Sequence, residues 1–334
     1  MNMTIKKLFL LISILQFNHI ALAADEVPTT PTTTALDSEQ RQILDVSRLM
    51  VAGETDALKD MLIDSATAQG VGITKSYLEK FFPTVEVSFE SEGGKKPTSG
   101  LLIVAPLSDE KDIFNTYFTQ VSSIYQDNRT TLNLGLGYRK LSDDKTMLTG
   151  VNAFYDHEFP YNHGRTSLGF EARTSLWEVN ANKYFAMTKW RTGRSGYEER
   201  ALDGYDLEAG LPLPYMNWAM VFVKQFHWNA VTDGVDLKGQ KASLRASVPT
   251  LPGLQIEAGR TFNSGSTYSN ENFINISYNV TELFGKTSQP SQPWFSSQAY
   301  QLGSMESRRY EKVRRTNTIV KQINRGFSVV VSGS

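Results

Sequence analysis

The sequence predicts an all-β membrane protein: a 12-stranded antiparallel transmembrane β-barrel preceded by a short N-terminal α-helical periplasmic segment. Three observations point there. From Pro83 to Val280 apolar and polar residues alternate with period two, the mark of strands with one apolar and one polar face. The alternating segments number twelve, an even count, and most approach the ~9 to 11 residues with which a tilted strand crosses a bilayer. Beyond residue 23, no run approaches the roughly 18 to 20 apolar residues of a membrane helix, so any crossing is made by strands.

Three N-terminal elements precede the barrel. Lys6 and Lys7, a mostly apolar Leu8 to Ile20 and Ala21-Leu22-Ala23 read as a secretory signal peptide over 1–23. Its removal takes the net charge from -1 to -3. Residues 24–36 include VPTTPTTT, a Pro/Thr linker that cannot bury a core. Over 37–82, Ile43, Leu44, Val46, Leu49 and Met50, then Leu58, Met61 and Leu62, recur at helical spacing, broken by Gly53 and Gly70.

The barrel segment is 83–280. Its strands are expected at 83–90, 99–106, 113–125, 130–141, 146–156, 164–173, 176–187, 204–211, 217–227, 240–248, 254–262 and 271–280. In TLNLGLGYRKL, Leu132, Leu134, Leu136 and Tyr138 oppose Asn133, Gly135, Gly137 and Arg139; in SLGFEART, Leu168, Phe170 and Ala172 oppose Ser167, Gly169, Glu171 and Arg173. A soluble sandwich would bury the apolar face, whereas a membrane barrel turns it to lipid and leaves the polar face around a lumen. The connectors decide between these. Those at 91–98, 126–129, 157–163, 188–203, 228–239 and 263–270 average about nine residues and the intervening ones about four, the pattern of outer loops and periplasmic turns in an outer-membrane barrel. Tyr155, Phe159, Trp177, Phe185, Trp190, Trp218 and Trp228 are candidates for interfacial girdles.

Composition excludes several chemistries. With Cys 0 there is no disulfide, Cys-ligated zinc, iron–sulfur cluster or thiol nucleophile, and near-neutral charge lacks the basic footprint of a nucleic-acid binder. His157, His163 and His227 are expected near outer strand ends. No HExxH, EF-hand loop or P-loop occurs, and Gly135-x-Gly137 lacks the third glycine and helix of a nucleotide fingerprint. An outer-membrane phospholipase, the enzymatic rival among 12-stranded barrels, needs a barrel-surface Ser beside a His; Ser167 near His163 falls on the lumen face. No enzyme activity, cofactor or metal is therefore expected.

The runs NLGLGYR within Ile124 to Arg139, GVNAFYDHEF, LGFEAR, ANKYF and KWRTGRSGYEERALDGYDLEAGLPL resemble the β-barrel domain of the inverse autotransporters, the intimin and invasin family. SMESRRYEKVRRTNTIVKQ at Ser304 to Gln322 resembles that family's segment joining barrel to passenger, so the likeness runs from about residue 37 to 325. The resemblance implies a translocator barrel in the outer membrane, a linker over 281–316 that threads the lumen as a helix, and display of the chain beyond that linker. It also implies outer-membrane lipid, assembly machinery, periplasmic chaperones and a host-surface or passenger partner. Where family members often carry a peptidoglycan-binding module, the Pro/Thr tract and the short helices stand, so wall anchoring through such a module is not expected, and about eighteen residues come after the linker motif, room for one hairpin. The expectation is a short surface-exposed β tail over 317–334 with strands at Ile319 to Ile323 and Phe327 to Val331. A simple outer-membrane pore is the other reading.

The site expected from charge lies inside the lumen. Met305 to Arg315 carries Arg308, Arg309, Lys312, Arg314 and Arg315 against Glu306 and Glu311, and Arg308, Lys312 and Arg315 share a face if the segment is helical. The expected partners on the polar strand faces are Glu171, Glu178, Asp206, Glu208 and Glu257, carboxylates that need cations in a narrow, partly dehydrated pore.

Overall fold

A computed structural model describes residues 82–231, 234–265, 267–281, 293–324 and 329–332. The signal peptide, the Pro/Thr linker and all of the 37–82 segment except Phe82 lie outside the described residues. Twelve strands close into one antiparallel barrel: β1 Thr84–Glu92, β2 Thr98–Pro106, β3 Asn115–Gln126, β4 Arg129–Leu141, β5 Leu148–Phe159, β6 His163–Arg173, β7 Glu178–Ala186, β10 Gly204–Leu213, β11 Met216–Trp228, β12 Leu237–Ser247, β13 Leu254–Asn263 and β14 Glu271–Asn279. Each pairs with its neighbour in sequence, and β1 closes onto β14 with Glu86 opposite Asn279. Two short strands, β8 Arg191–Thr192 and β9 Glu198–Ala201, stand in the longest connector, between β7 and β10. They form a separate sheet with β15 Lys321–Asn324 and β16 Val329–Ser332. No described helix is long and apolar enough to cross a membrane.

Side-chain alternation sets the register, because a slip of one residue would turn every strand inside out. Leu136, Leu168 and Leu211 are 57%, 59% and 62% exposed on the outside, while Asn133, Glu171 and Asp206 on the other face are buried. An apolar cluster of Phe82, Val85, Ile103, Leu254, Tyr278 and Val280 gathers where β1 meets β14. Within the lumen, aromatic rings lie flat on glycines of the adjacent strand. A Cβ on Gly135 or Gly137 would stand 2.2 Å from the ring of Phe154 or Phe118, so both positions must be glycine for the rings to settle there. Trp228 differs from its expected girdle position: it is buried in the lumen against Tyr184, with ring centroids 4.9 Å apart, because residue parity on β11 points it inward.

Candidate functional site

The chain itself fills the lumen. Residues 293–304 run along the short-turn end: the Trp218 indole donates to the Trp294 carbonyl (2.8 Å), Tyr215 N to the Ala299 carbonyl (3.0 Å) and Ser175 Oγ to the Gln301 carbonyl (2.9 Å). Met305 then enters, packing on Leu141 and Leu148 while its N–H donates to the Lys145 carbonyl (2.7 Å). Val313 joins Leu102, Val104, Phe118 and Phe154, and Val320 joins Tyr184, Leu202, Phe226, Trp228 and Leu237. These apolar contacts hold the linker at three levels, from the short-turn end to the long-connector end.

The expected helix over 305–315 is corrected. Only Glu306–Tyr310 is helical, as a short 3₁₀ helix, and the chain continues without helix or strand, bending at Glu311, Arg315 and Thr318, to the start of β15. Length is one reason. From Met305 to Val320 an α-helix would cover about 22 Å at 1.5 Å per residue. That is less than the ~30 Å of a hydrocarbon core. Hydrogen bonding is the other reason, since the wall supplies what a helix would otherwise supply to itself. Arg139 donates to the carbonyls of Arg309 (2.7 Å) and Glu311 (2.6 Å), Arg173 to that of Lys312 (3.2 Å) and Asn182 to that of Arg314 (3.0 Å). Arg165 and Asn133 donate to the carbonyls of Thr316 (2.7 Å) and Asn317 (2.9 Å). The N–H groups of Val313 and Thr316 donate to Gln120 Oε1 (2.7 Å) and the Tyr184 hydroxyl (2.8 Å). The buried main chain is thereby satisfied without secondary structure of its own.

Four of the five linker cations meet wall carboxylates. Arg308 bridges Glu178 and its own neighbour Glu311, and Lys312 reaches Glu86 (2.6 Å). Arg314 holds Glu208 and lies 3.4 Å from Glu257, with its guanidinium 4.4 Å from the centroid of Phe222. Arg315 makes a fork onto Asp156 (2.9 and 2.7 Å) and covers Phe154 at 4.3 Å. Arg309 differs: at the mouth it donates to the carbonyls of Glu306 and Asp112 and meets no wall carboxylate among the described residues. Glu171 differs too, since it pairs with the wall arginines Arg139 and Arg173. Asp206 accepts from Thr316 Oγ1 (3.0 Å), Tyr184 (2.7 Å) and Asn182 (2.7 Å), with Lys224 4.0 Å away, so its linker partner is a hydroxyl.

Sequence reasoning missed Asp156 and Glu86. Asp156 precedes His157 near the expected outer end of its strand, yet β5 runs on to Phe159 and puts Asp156 inside between Arg165 (2.8 Å), Arg315 and Asn133 (2.8 Å). Its lumen-facing parity with Phe154 was the available signal. The wall arginines Arg139, Arg165 and Arg173 share that parity.

At the long-connector end the emerging chain is clamped. Lys321 pairs with Glu158, while Arg129 bridges Glu158 (2.7 Å) and Glu199 (2.6 Å), and His163 Nε2 lies 3.4 Å from Glu199. Glu158, His163 and Glu199 bring three ligand-type atoms within 4.8 Å of one another, but Arg129 and Lys321 already supply positive charge to both carboxylates. Burial pushes the Glu199 carboxyl up, and the adjacent His163 ring and the hydrogen bond from Arg129 outweigh it and hold it down to about 2. β15 pairs with β9 from Lys321 opposite Ala201 to Asn324 opposite Glu198, and β16 adds to its other side. The expected C-terminal hairpin therefore exists with slightly later strands, docked onto β9 through its first strand in a four-stranded sheet.

An apolar outer face, a closed ring of twelve antiparallel strands and a polar interior define an outer-membrane β-barrel protein. Within that class the chain belongs to the inverse autotransporter β-domain family, whose model matches residues 38–317. It is 30% identical over 169 residues to an invasin of Yersinia enterocolitica, covering 50% of this chain and 19% of that one. An attaching and effacing protein homolog of Escherichia coli strain K12 is 29% identical over 164 residues, 48% of this chain and 54% of that one. The chain thus spans about half or less of the length of these curated relatives. A solved structure from work on the in-meso crystallization of membrane proteins superposes with a TM-score of 0.58 at 21% identity, over 73% of this chain and 99% of that one, and shares the fold.

Proposed function

We propose that the barrel is an inverse-autotransporter translocator that threads its own C-terminal segment through its lumen to the cell surface. The observation that carries this reading is the path of the linker, which enters beside the short turns and leaves beside the long connectors, pairing there with β9. In this orientation the N-terminal segment is periplasmic, and the sheet of β8, β9, β15 and β16 faces outward. Relatives named invasin and adhesin support a role for that sheet in meeting a host surface or a passenger. An open pore fits less well, because the linker's side chains and the wall's arginines occupy the lumen.

The test is labelling on intact cells. An epitope after Ser334 and a tag at Arg194 are expected to be accessible, and a tag at Asp143 only after permeabilisation. A C-terminal epitope reached only after permeabilisation overturns the proposal.

A further inference from the structure

The outward face of the barrel is not uniform around its circumference. On β1 to β6 the outward positions carry one cation, Lys140, at the short-turn end of β4. On β7 to β13 they carry three, Lys183, Lys238 and Arg260, all in the halves of their strands that adjoin the long connectors. All three are exposed, and no described carboxylate lies within ion-pair distance of any of them.

Pairing sets these residues side by side. Lys183 is opposite Tyr205, Tyr205 opposite His227 and His227 opposite Lys238. Lys183 Nζ lies 5.9 Å from the Tyr205 ring centroid, and the Tyr205 and His227 rings are 5.7 Å apart. His227 is itself held by Asp236 at 2.9 Å, which fixes its ring in the row. Beside the row, Gln225, Gln240 and Phe262 are opposite one another in turn and, with Tyr205, His227 and Lys238, line a cavity of about 250 Å³. Arg260 sits two outward pairs further along, opposite Ala242, which is four residues from Lys238 and itself opposite Val223. On the same strands, further from the long connectors, the outward positions become apolar: Leu207, Val223 and Leu244, each 45–49% exposed.

A strip with unpaired cations and amides above and bare aliphatic side chains below, on the lipid face, fits an amphiphile with an anionic head and several acyl chains. The row from Lys183 to Lys238 crosses three strand spacings, about 14 Å. That is wider than one phosphate reaches and of the order of a disaccharide phosphorylated at both ends. We infer that the outward face of β7 to β13 docks a diphosphorylated, multiply acylated saccharolipid of the outer leaflet, with its phosphates on Lys183, Lys238 and Arg260, its sugar over the Tyr205–His227 cavity and its chains on Leu207, Val223 and Leu244. The inference rests on the proposed orientation, which puts this rim in the outer leaflet. The ligand holds the β7–β13 wall, whose β7–β10 connector carries β9 and Glu199, to the membrane surface.

Binding to the purified full-length barrel in detergent, read by native mass spectrometry, tests the inference without reference to orientation. Diphosphorylated lipid A is the probe, with dephosphorylated lipid A and phosphatidylglycerol as competitors. The triple variant Lys183→Glu, Lys238→Glu, Arg260→Glu is expected to bind the probe at least tenfold more weakly, and the corresponding Gln triple to fall between. Heat-modifiable migration on gels verifies that each variant is folded. A control triple on the other sector, Ser99→Glu, Ser123→Glu, Thr166→Glu, should retain binding. Unchanged binding by the Glu triple, or equal competition by dephosphorylated lipid A or phosphatidylglycerol, overturns the inference. The Arg194 tag on intact cells separates the two readings: an external tag with an indifferent lipid face sinks this inference alone, and a periplasmic tag sinks the orientation.

Discussion

Replacing Arg315 with Ala should loosen the linker without opening the barrel wall. The side chains of Arg315 and Asp156 are both 0% exposed and joined by two bonds of 2.9 and 2.7 Å, and Arg315 also touches Ser167 (3.1 Å) and Phe154. Breaking a buried pair from one side generally costs about 3 to 5 kcal/mol. Asp156 retains Arg165 and Asn133, so the lower end applies, about 3 kcal/mol, or slightly more than a hundredfold in the docking equilibrium. Lys312→Ala removes a more accessible pair, 26% and 13% exposed, and should cost about 1 kcal/mol. Hydrogen exchange of the peptide spanning 311–318, which contains the bonded amides of Val313 and Thr316, reads the difference directly. Single-channel current in planar bilayers should show the same ranking in open time: Arg315→Ala, then Lys312→Ala, then the parent. Equal exchange in all three proteins would mean that the fork does not hold the linker, and an unprotected parent would refute the docked path itself.

The same geometry dictates two further outcomes. Leu136→Arg, on the outward face, should cut outer-membrane assembly by the ~2 to 4 kcal/mol of a lipid-facing arginine, whereas Leu136→Ala is tolerated. Equal abundance of the two on heat-modifiability gels would show that this face does not meet lipid. Acid should release the outer sheet before the barrel. The Glu199 carboxyl is held at about 2 in the folded state, so its contribution is complete above its ordinary value of 4.5 and is lost as pH falls from there toward 2. Protease cleavage after Lys321 should rise over that window and show no such rise in Glu199→Gln, with His163, Arg129, Glu158 and Lys321 unchanged around it. A profile shared by both proteins would assign the effect elsewhere.

The barrel was legible because lipid outside and a largely polar lumen inside impose period-two alternation along most of each strand. The twelve expected strands all occur, with ends displaced by a few residues. The linker was legible in its charge and not in its conformation. Helical spacing groups Arg308, Lys312 and Arg315, but the irregular path of the chain scatters them to Glu178, Glu86 and Asp156, and only neighbours from three different strands decide which arrangement wins. Strands β8 and β9 were not legible at all. They are two and four residues long, and the strand that completes their sheet lies more than a hundred residues away at Lys321–Asn324. Pairings at that separation leave no local pattern.

The lumen measures the linker on two scales at once, like a vernier. Arg139, Arg165, Arg173, Asn133 and Asn182 grip carbonyl oxygens, which any polypeptide presents at every residue. That scale is blind to sequence and would accept a chain displaced by two residues as readily as the present one. The second scale is coarse and unique: Met305, Val313 and Val320 in their apolar seats, and Arg314 and Arg315 on their carboxylates. The two coincide at one setting. Inserting two residues after Val313 would leave the carbonyl grip intact on either side and force a choice between the seats below and those above. In the proposed threading the wall is a rail for the passing chain, and the short basic stretch is the detent that stops it.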